Sequence, residues 1–322
     1  MIEAAARLLA GARRVLLTCH LGPDGDAVGS MCALAALLGE KGREVTLYNP
    51  DLVPRSLRFL PHAARLVHKL PAAARFDLTV VVDCGDRRLL GERFPAPEVT
   101  GPLLVLDHHA AGRPFGDLWL CDPAAASVGV LVARLAAALG WPLPPAAALG
   151  IFTSLVADTG SFRYANTNAE AFRLAADLVG AGAVSPWAVA VELGERVPPS
   201  RYRLLAAALG GLELCAGGRI ALLTVDDKLL AGAKAGWDDL EGLVNYARAV
   251  DGVECGVLLT PAREGGTRVS LRSKGGKVDA GAVCLPLGGG GHPGAAGCRL
   301  PGTLAEARTQ IVAALEAALA AP

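Results

Sequence analysis

Several features are scarce in this chain of 322 residues, and each scarcity closes off a class of protein. The eight cysteines, at positions 19, 32, 84, 121, 215, 255, 284 and 298, never fall into a Cys-x-x-Cys pair. A thiolate zinc cage or a disulfide framework is therefore not expected, and buried reduced thiols are. Neither sign of charge is in excess, because 31 Lys and Arg balance 31 Asp and Glu. No global field draws the chain toward long duplexes or acidic membranes, so any anionic ligand must be held by local geometry. Aromatic residues are only 5% of the chain although 52% is apolar. The surplus is mostly alanine, which favours helices and tight packing of helices on sheets, and so much apolar surface argues against disorder. Long unbroken apolar runs are also missing: the stretch from Val128 to Ala157 is interrupted by Arg134, Pro142, Pro144 and Pro145. No membrane span is expected from it. The first fourteen residues carry Glu3, Arg7, Arg13 and Arg14 among their apolar positions and read as an amphipathic helix, not a signal peptide. A cytoplasmic location follows as the expectation.

What is present suggests two domains, since single cores stop growing near roughly 250 to 300 residues. Residues 14–19, 44–48, 77–83 and 102–107 are short, nearly continuous apolar runs. Runs of that kind fit strands of a parallel sheet buried on both faces. Between the first two lies an alanine-rich, leucine-spaced helix over 27–40 with Gly42 just beyond, which makes a βαβ unit with a right-handed crossover. Further helices are predicted over 127–139, 146–157, 168–181 and about 186–194, with Asn168 as a cap of the third. The pattern changes after Val197-Pro198-Pro199-Ser200. Strand-like runs then begin at Arg219, Val253 and Thr267, a helix is predicted over 237–250, and a last one over 303–320. The expected division is a first domain over 1–190, a linker helix over 191–214 and a second domain over 215–322.

The polar residues at the ends of the apolar runs carry the chemistry. His20 follows the first run, Asp83 closes the third and Asp107 closes the fourth, leading into His108 and His109. Open α/β sheets bind ligands along that edge. The turn after His20 adds Asp24 and Asp26, shaped by Pro23 and Gly25, and Asp158 ends a later helix. A single aspartate at a strand end is ordinarily a turn former or a cap. Acids crowded this closely would repel one another and oppose folding at neutral pH without cations, which points to a metal-ligand set. Imidazole and carboxylate donors without thiolate suit Mn²⁺ best, with Mg²⁺, Co²⁺ and Zn²⁺ as further candidates. His62 and His68 lack such company and are read as surface or packing residues.

Four segments in order, His20-x-x-x-Asp24-x-Asp26, Asp83-Cys84-Gly85-Asp86, Asp107-His108-His109 and Asp158-Thr159-Gly160, resemble the signature motifs of the DHH phosphoesterase superfamily. The resemblance implies an α/β fold with an N-terminal parallel-sheet catalytic domain. It implies two ions, one held by His20, Asp24 and Asp83 and the other by Asp26, Asp83, His108 and Asp158, with Asp83 as the bridge. Two divalent ions of that kind generate a hydroxide and clamp a phosphoryl group, so phosphoester hydrolysis is the expected reaction. His109 is a candidate to contact the phosphate or protonate the leaving oxygen, or is a structural histidine. Asp107 is expected to orient a neighbouring imidazole. Arg163 either neutralises substrate charge or forms a surface ion pair.

In the second domain, Leu287-Gly-Gly-Gly-Gly-His292-Pro-Gly-Ala-Ala-Gly297 lets backbone N–H groups converge on an anion, although a glycine run alone can be a plain flexible loop. It is neither a Walker loop nor a dinucleotide fingerprint. Arg272 and Lys274 place two cations in the same small domain. The combination resembles the smaller α/β substrate-binding domain associated with DHH enzymes, matched over 289–297. By that resemblance Arg272, Lys274, Gly289, Gly290, Gly291 and His292 grip the far nucleotide or its phosphate. The segment from Trp237 to Arg248 further resembles the branch that degrades very short RNA and removes the 3′-phosphate of adenosine 3′,5′-bisphosphate. Where related chains carry paired hydroxyls after Cys121-Asp122-Pro123, this one has Ala124-Ala125-Ala126-Ser127, so fewer substrate contacts are expected from that helix start.

The expected function is hydrolysis of single-stranded oligonucleotides of about two to five nucleotides and of nucleoside bisphosphates, with little base specificity because phosphate contacts are blind to sequence. Long duplexes and membranes are not expected partners, and a homodimer is compatible with the sequence. The alternative is a phosphodiesterase acting on linear or cyclic signalling dinucleotides. RecJ-type exonucleases, family II inorganic pyrophosphatases and a non-catalytic nucleotide sensor fit less well.

Overall fold

The computed structural model describes residues 1–110, 112–262 and 265–320, in two compact units, Met1–Arg196 and Val197–Pro322. The first unit runs α1 (Ile2–Gly11), β1 (Arg14–Cys19), α2 (Gly25–Glu40), β2 (Glu44–Leu47), β3 (Leu78–Val82), α3 (Pro97–Thr100), β4 (Leu103–Asp107), β5 (Leu118–Cys121), α4 (Val128–Ala138), α5 (Pro145–Asp158), α6 (Ala169–Gly180) and α7 (Pro186–Ala190). Its five strands form one parallel sheet in the order β2-β1-β3-β4-β5. The order reverses between β1 and β3, and that switch point is where such sheets open a crevice beyond the carboxyl ends of their strands. β5 had no apolar run long enough to announce it. It is a four-residue edge strand with Trp119 among its residues.

One face of the sheet carries the main core, where Val15, Leu17, Val80, Val82, Leu104 and Leu106 pack with the helices. The opposite face buries Val81, Leu90 and Val105 under Phe94, Phe115 and Trp119. Both faces are therefore covered, as the unbroken apolar runs required. α2 is buried along nearly its whole length, from Gly25 to Leu38. It lies antiparallel against α5 along a seam of small residues. A Cβ at Gly29 would stand 2.6 Å from the Gly150 carbonyl oxygen, and one at Gly150 would stand 2.6 Å from the Gly29 oxygen. Gly25 likewise faces Ala157. The seam brings the start of α2, with Asp24 and Asp26, beside the end of α5, with Asp158.

The second unit runs α8 (Pro199–Gly210), β6 (Glu213–Cys215), β7 (Ile220–Thr224), α9 (Asp227–Ala233), α10 (Val244–Ala249), β8 (Cys255–Pro261), β9 (Thr267–Ser273), α11 (Ala280–Cys284), β10 (Gly290–His292), β11 (Ala295–Leu300) and α12 (Leu304–Ala320). The sheet order is β10-β11-β9-β8-β7-β6, antiparallel except for the β7–β8 pair. Alternate residues divide between two cores. Leu222, Val257 and Leu259 pack with Ile311 and Leu315 of α12, while Leu223 and Leu258 pack with Leu204, Leu230 and Val244. Three local expectations change. The segment 237–250 is not one helix: a 3₁₀ turn over Trp237–Leu240 is separated from α10 by Gly242, whose φ of 74° breaks the helical path. Beyond Ala190 the helix at 186–194 widens into a π-helical turn, Val191–Glu195. The glycine run is partly a strand, since Gly290–His292 pairs with Ala295–Gly297.

Candidate metal centre

Asp83 lies at the middle of the first unit's site. It follows β3, and its N–H donates to the Leu106 carbonyl of β4 at 2.9 Å, while its φ of 53° lies in the left-handed region. A non-glycine residue held there is strained, and such strain persists where the surroundings dictate it. The carboxylate faces two ways. Oδ2 is 3.4 Å from His20 Nε2, and Oδ1 is 3.7 Å from both His108 Nε2 and His109 Nδ1. Since His20 follows β1 and Asp83 follows β3, the pair spans the switch point itself.

On the Oδ2 side, His20 Nε2 is also 4.0 Å from Asp24 Oδ1. His20 Nδ1 lies 2.8 Å from the Leu21 carbonyl, so that nitrogen donates to it and Nε2 is the atom turned toward the acids. Asp24 caps α2, accepting from the N–H groups of Asp26 and Ala27 through Oδ1. On the Oδ1 side, His108 Nε2 is 3.5 Å from Asp26 Oδ2 and 3.7 Å from Asp158 Oδ2. His108 Nδ1 donates to the Ala125 carbonyl at 3.0 Å, which turns its Nε2 toward the acids in the same way. His109 Nδ1 is 2.7 Å from Asp107 Oδ1, so the fully buried Asp107 orients that ring.

Asp26 is 1% exposed and heavily supported. The Val128 N–H at the start of α4 donates to it at 2.8 Å, Ser30 Oγ at 3.1 Å and Ser154 Oγ at 2.6 Å. Ser154 also bonds Ser127 Oγ at 2.8 Å and accepts from the Gly129 N–H at 3.0 Å. Ser127 is thus a support for Asp26. Asn166 donates through Nδ2 to Asp158 Oδ2 at 2.8 Å and to the Ala126 carbonyl at 3.0 Å. Ser30, Ser154 and Asn166 are not among the residues that the sequence singles out. Two had a readable signal, since Ser30 lies four residues after Asp26 on α2 and Ser154 four before Asp158 on α5.

The electrostatics describe a centre of crowded acids and imidazoles able to accept cations. Burial raises the carboxyl of Asp26 far above its ordinary range, with Asp83 adding to it. Burial likewise pushes Asp158 up to about 7, with Asp83 and Asp24 adding while His108 and His109 oppose. Asp83 goes the other way: burial alone would raise it, but its hydrogen bond with His20 and the facing imidazoles hold it well below the carboxylate range. Burial disfavours charge on His20 and His108, yet the acids outweigh it and raise them to about 10 and about 9. The facing acids and imidazoles thus hold one another's charge. Among the described residues of this unit, three groups of donors lie close enough to share an ion: His20, Asp24 and Asp83; Asp26, Asp83 and His108; and Asp83, Asp107 and His109. Asp83 belongs to all three.

Arg163 is exposed on the turn after Asp158, and its Nε donates to the Gly160 carbonyl at 2.7 Å. In the second unit, strand register sets His292 opposite Ala295 and Ala295 opposite Arg272, one cross-strand row on one face. Ser270, Gly297 and Gly290 form the next row on that face. Small residues are obligatory at the centre of this patch, because a Cβ at Gly289 would meet the Gly297 oxygen at 2.1 Å and one at Gly291 the Ala295 oxygen at 2.4 Å. Lys274 Nζ donates to the Val250 carbonyl at 2.8 Å.

The DHH family N-terminal domain matches residues 14–182, and the DHHA1 domain matches residues 207–321. The chain belongs to the DHH family. Among DHH relatives, the bifunctional oligoribonuclease and PAP phosphatase NrnA of Thermus thermophilus is 36% identical over 294 residues, covering 89% of this chain and 84% of that protein. The Bacillus subtilis protein of the same name is 27% identical, covering 89% of each. An exopolyphosphatase-related protein of Bacteroides fragilis has the same fold, with a TM-score of 0.89 at 24% identity over 98% of this chain and 95% of its own. Thermus thermophilus RecJ in complex with Mn²⁺ aligns with a TM-score of 0.55 at 18% identity, and this chain spans 55% of it.

Proposed function

We propose that this DHH protein is a dinuclear-metal phosphohydrolase that degrades very short oligonucleotides and removes the 3′-phosphate from adenosine 3′,5′-bisphosphate. The observation that carries the proposal is the convergence of His20, Asp24, Asp26 and His108 on Asp83, with Asp158 reaching the same His108 Nε2. The curated relatives, alike over most of their length, bear the names of both activities. His20, Asp24 and Asp83 would hold one ion, and Asp26, Asp83, His108 and Asp158 the other. The donor set fits such ions: imidazoles with their Nδ1 protons committed to carbonyls, carboxylates that burial alone would protonate, and no thiolate. Mn²⁺ is the ion we assign, with Mg²⁺, Co²⁺ and Zn²⁺ as competitors. When bound, divalent ions polarise a phosphoryl oxygen and lower the pKa of water.

The chain's own groups do the rest. His109, held by Asp107 at 2.7 Å, presents Nε2 as the atom that contacts the phosphate or delivers a proton to the leaving oxygen. Burial opposes charge on His109, but its hydrogen bond to Asp107 and the nearby Asp83 outweigh it and raise its pKa, the direction that suits a proton donor. Arg163 adds positive charge beside Asp158. The row of Arg272 and His292, with Gly289, Gly290, Gly291 and Lys274, binds the remainder of the substrate through its phosphate. We place the enzyme in the cytoplasm, in keeping with eight free thiols and no described helix long and apolar enough to cross a membrane.

The deciding experiment supplies chelator-treated protein, with Mn²⁺ restored, with pAp, pApA, a pentaribonucleotide, a cyclic dinucleotide and pyrophosphate in parallel. Turnover of pAp and the short linear oligonucleotides is expected. Pyrophosphate or the cyclic dinucleotide as the sole substrate would overturn the assignment.

A further inference from the structure

We infer that Asn166 is a positioning residue that locks Asp158 in register with His108 and Asp26, the donors of one of the two ions. This rests on the dinuclear reading above. Asn166 Nδ2 has acceptors on three sides: Asp158 Oδ2 at 2.8 Å, the Asp158 carbonyl at 3.2 Å and the Ala126 carbonyl at 3.0 Å. Because every one is an acceptor, the nitrogen and not the oxygen must face them, and the orientation of the amide is fixed by chemistry. The oxygen it holds on Asp158 is the one that faces His108 Nε2 at 3.7 Å.

Asn166 Oδ1 is itself buried, so the amide is enclosed beside the donors and does not turn out to the surface.

The Ala126 contact extends the role. Residues 125–128 hold two of the donors on this side of Asp83: the Ala125 carbonyl orients His108, and the Val128 N–H holds Asp26. By bridging Ala126 to Asp158, Asn166 ties the last donor to the same short stretch. The chain reaches this geometry through strain. Gly160, Ser161 and Phe162 follow one another at φ of 57°, 61° and 61°, a left-handed path that a bulky residue rarely takes. Phe162 is held there by its N–H on Thr159 Oγ1 at 3.0 Å and by stacking on Phe172 at 5.2 Å between centroids. The turn returns residue 166 over residue 158.

The test is calorimetric titration of Mn²⁺ into chelator-stripped full-length protein, comparing wild type with Asn166→Ala and Asn166→Leu. Leucine fills the same volume without a donor, so a loss shared by both variants belongs to the hydrogen bonds. One of two Mn²⁺ equilibria should weaken by about 10- to 100-fold, the usual effect of removing such a support, while the other shifts by less than about threefold. At saturating Mn²⁺ the KM for pAp should be unchanged. Two unaltered equilibria, equal weakening of both, or loss of the fold in both variants would overturn the assignment. Wild-type uptake of fewer than two ions would instead bring down the dinuclear reading itself, which keeps the two failures distinct.

Discussion

His20 Nε2 and Asp83 Oδ2 meet at 3.4 Å across the point where the order of the parallel sheet reverses. The two residues come from strands 63 positions apart in sequence, 83 minus 20, yet those strands are neighbours in the sheet. The site is therefore a product of topology, and its predictions follow from what each donor is tied to.

Asp83→Asn keeps a side chain that tolerates the left-handed backbone but removes the charge shared by all three donor groups. Turnover of pAp should fall by several orders of magnitude while far-UV circular dichroism stays as in the wild type. Retention of more than about a tenth of the activity would refute the bridging role.

Binding of Mn²⁺ should release protons. In the metal-free protein the acids raise His20 to about 10 and His108 to about 9, so both imidazoles are charged at pH 7.5 and must lose a proton to become ligands. Affinity should rise with pH and weaken as pH falls. Calorimetry in two buffers of different ionisation enthalpy measures the release directly, and identical heats in both would contradict it.

Ser154→Ala should destabilise the protein by about 1–3 kcal/mol, because it strips a hydrogen bond from buried Asp26 and orphans the Gly129 N–H. Urea denaturation of the metal-free forms is the measurement. A difference below about 0.5 kcal/mol would mean that other donors fully replace the hydroxyl.

Gly29→Ala should wedge α2 from α5, since the new methyl would stand 2.6 Å from the Gly150 oxygen. The cost of such overpacking is about 1–3 kcal/mol. It should come with weaker Mn²⁺ binding, because the helices carry Asp26 and Asp158. Lost stability with unchanged metal affinity would separate the seam from the site.

Arg134 pairs with both Asp122 and Glu170, joining the end of β5 to α4 and α6. The Arg134 hydrogen bond holds the Asp122 carboxyl below its ordinary value of 3.8. A depressed pKa gives stability that is present above the unfolded value and lost as pH falls through the folded one. Asp122→Asn should therefore lower Tm at pH 7, and the gap to wild type should narrow below about pH 4. A gap independent of pH would assign the effect to packing.

The acids and imidazoles that meet around Asp83 were legible because each sits near the place where an apolar run stops, and burial of the strands on both faces was written in their unbroken hydrophobicity. The supports were harder to see. Asn166 stands eight residues beyond Asp158, and only the left-handed turn at Gly160, Ser161 and Phe162 folds it back. A polar trio before α6 looks like ordinary capping, and Asn168 does cap that helix. Ser127 is the one hydroxyl left at that helix start, and its support of Asp26 was hidden because sequence does not show that Ser154 lies behind it. The glycine run concealed a strand, since Gly290 and Gly291 carry no β-branched or aromatic signal. Cross-strand pairing with Ala296 and Gly297 decides the conformation there.

The stretch from Ala125 to Val128 acts on the centre mainly through peptide groups: one carbonyl for His108, another for Asn166, and one N–H for Asp26. Side-chain identity at Ala125 and Ala126 is thus nearly silent, while the course of the main chain there is not. Descendants of this sequence can exchange those methyls for other small groups and keep the enzyme. A single inserted or deleted residue in the same place would disconnect three donors at once, so this plain run should tolerate changes of letter far better than changes of length.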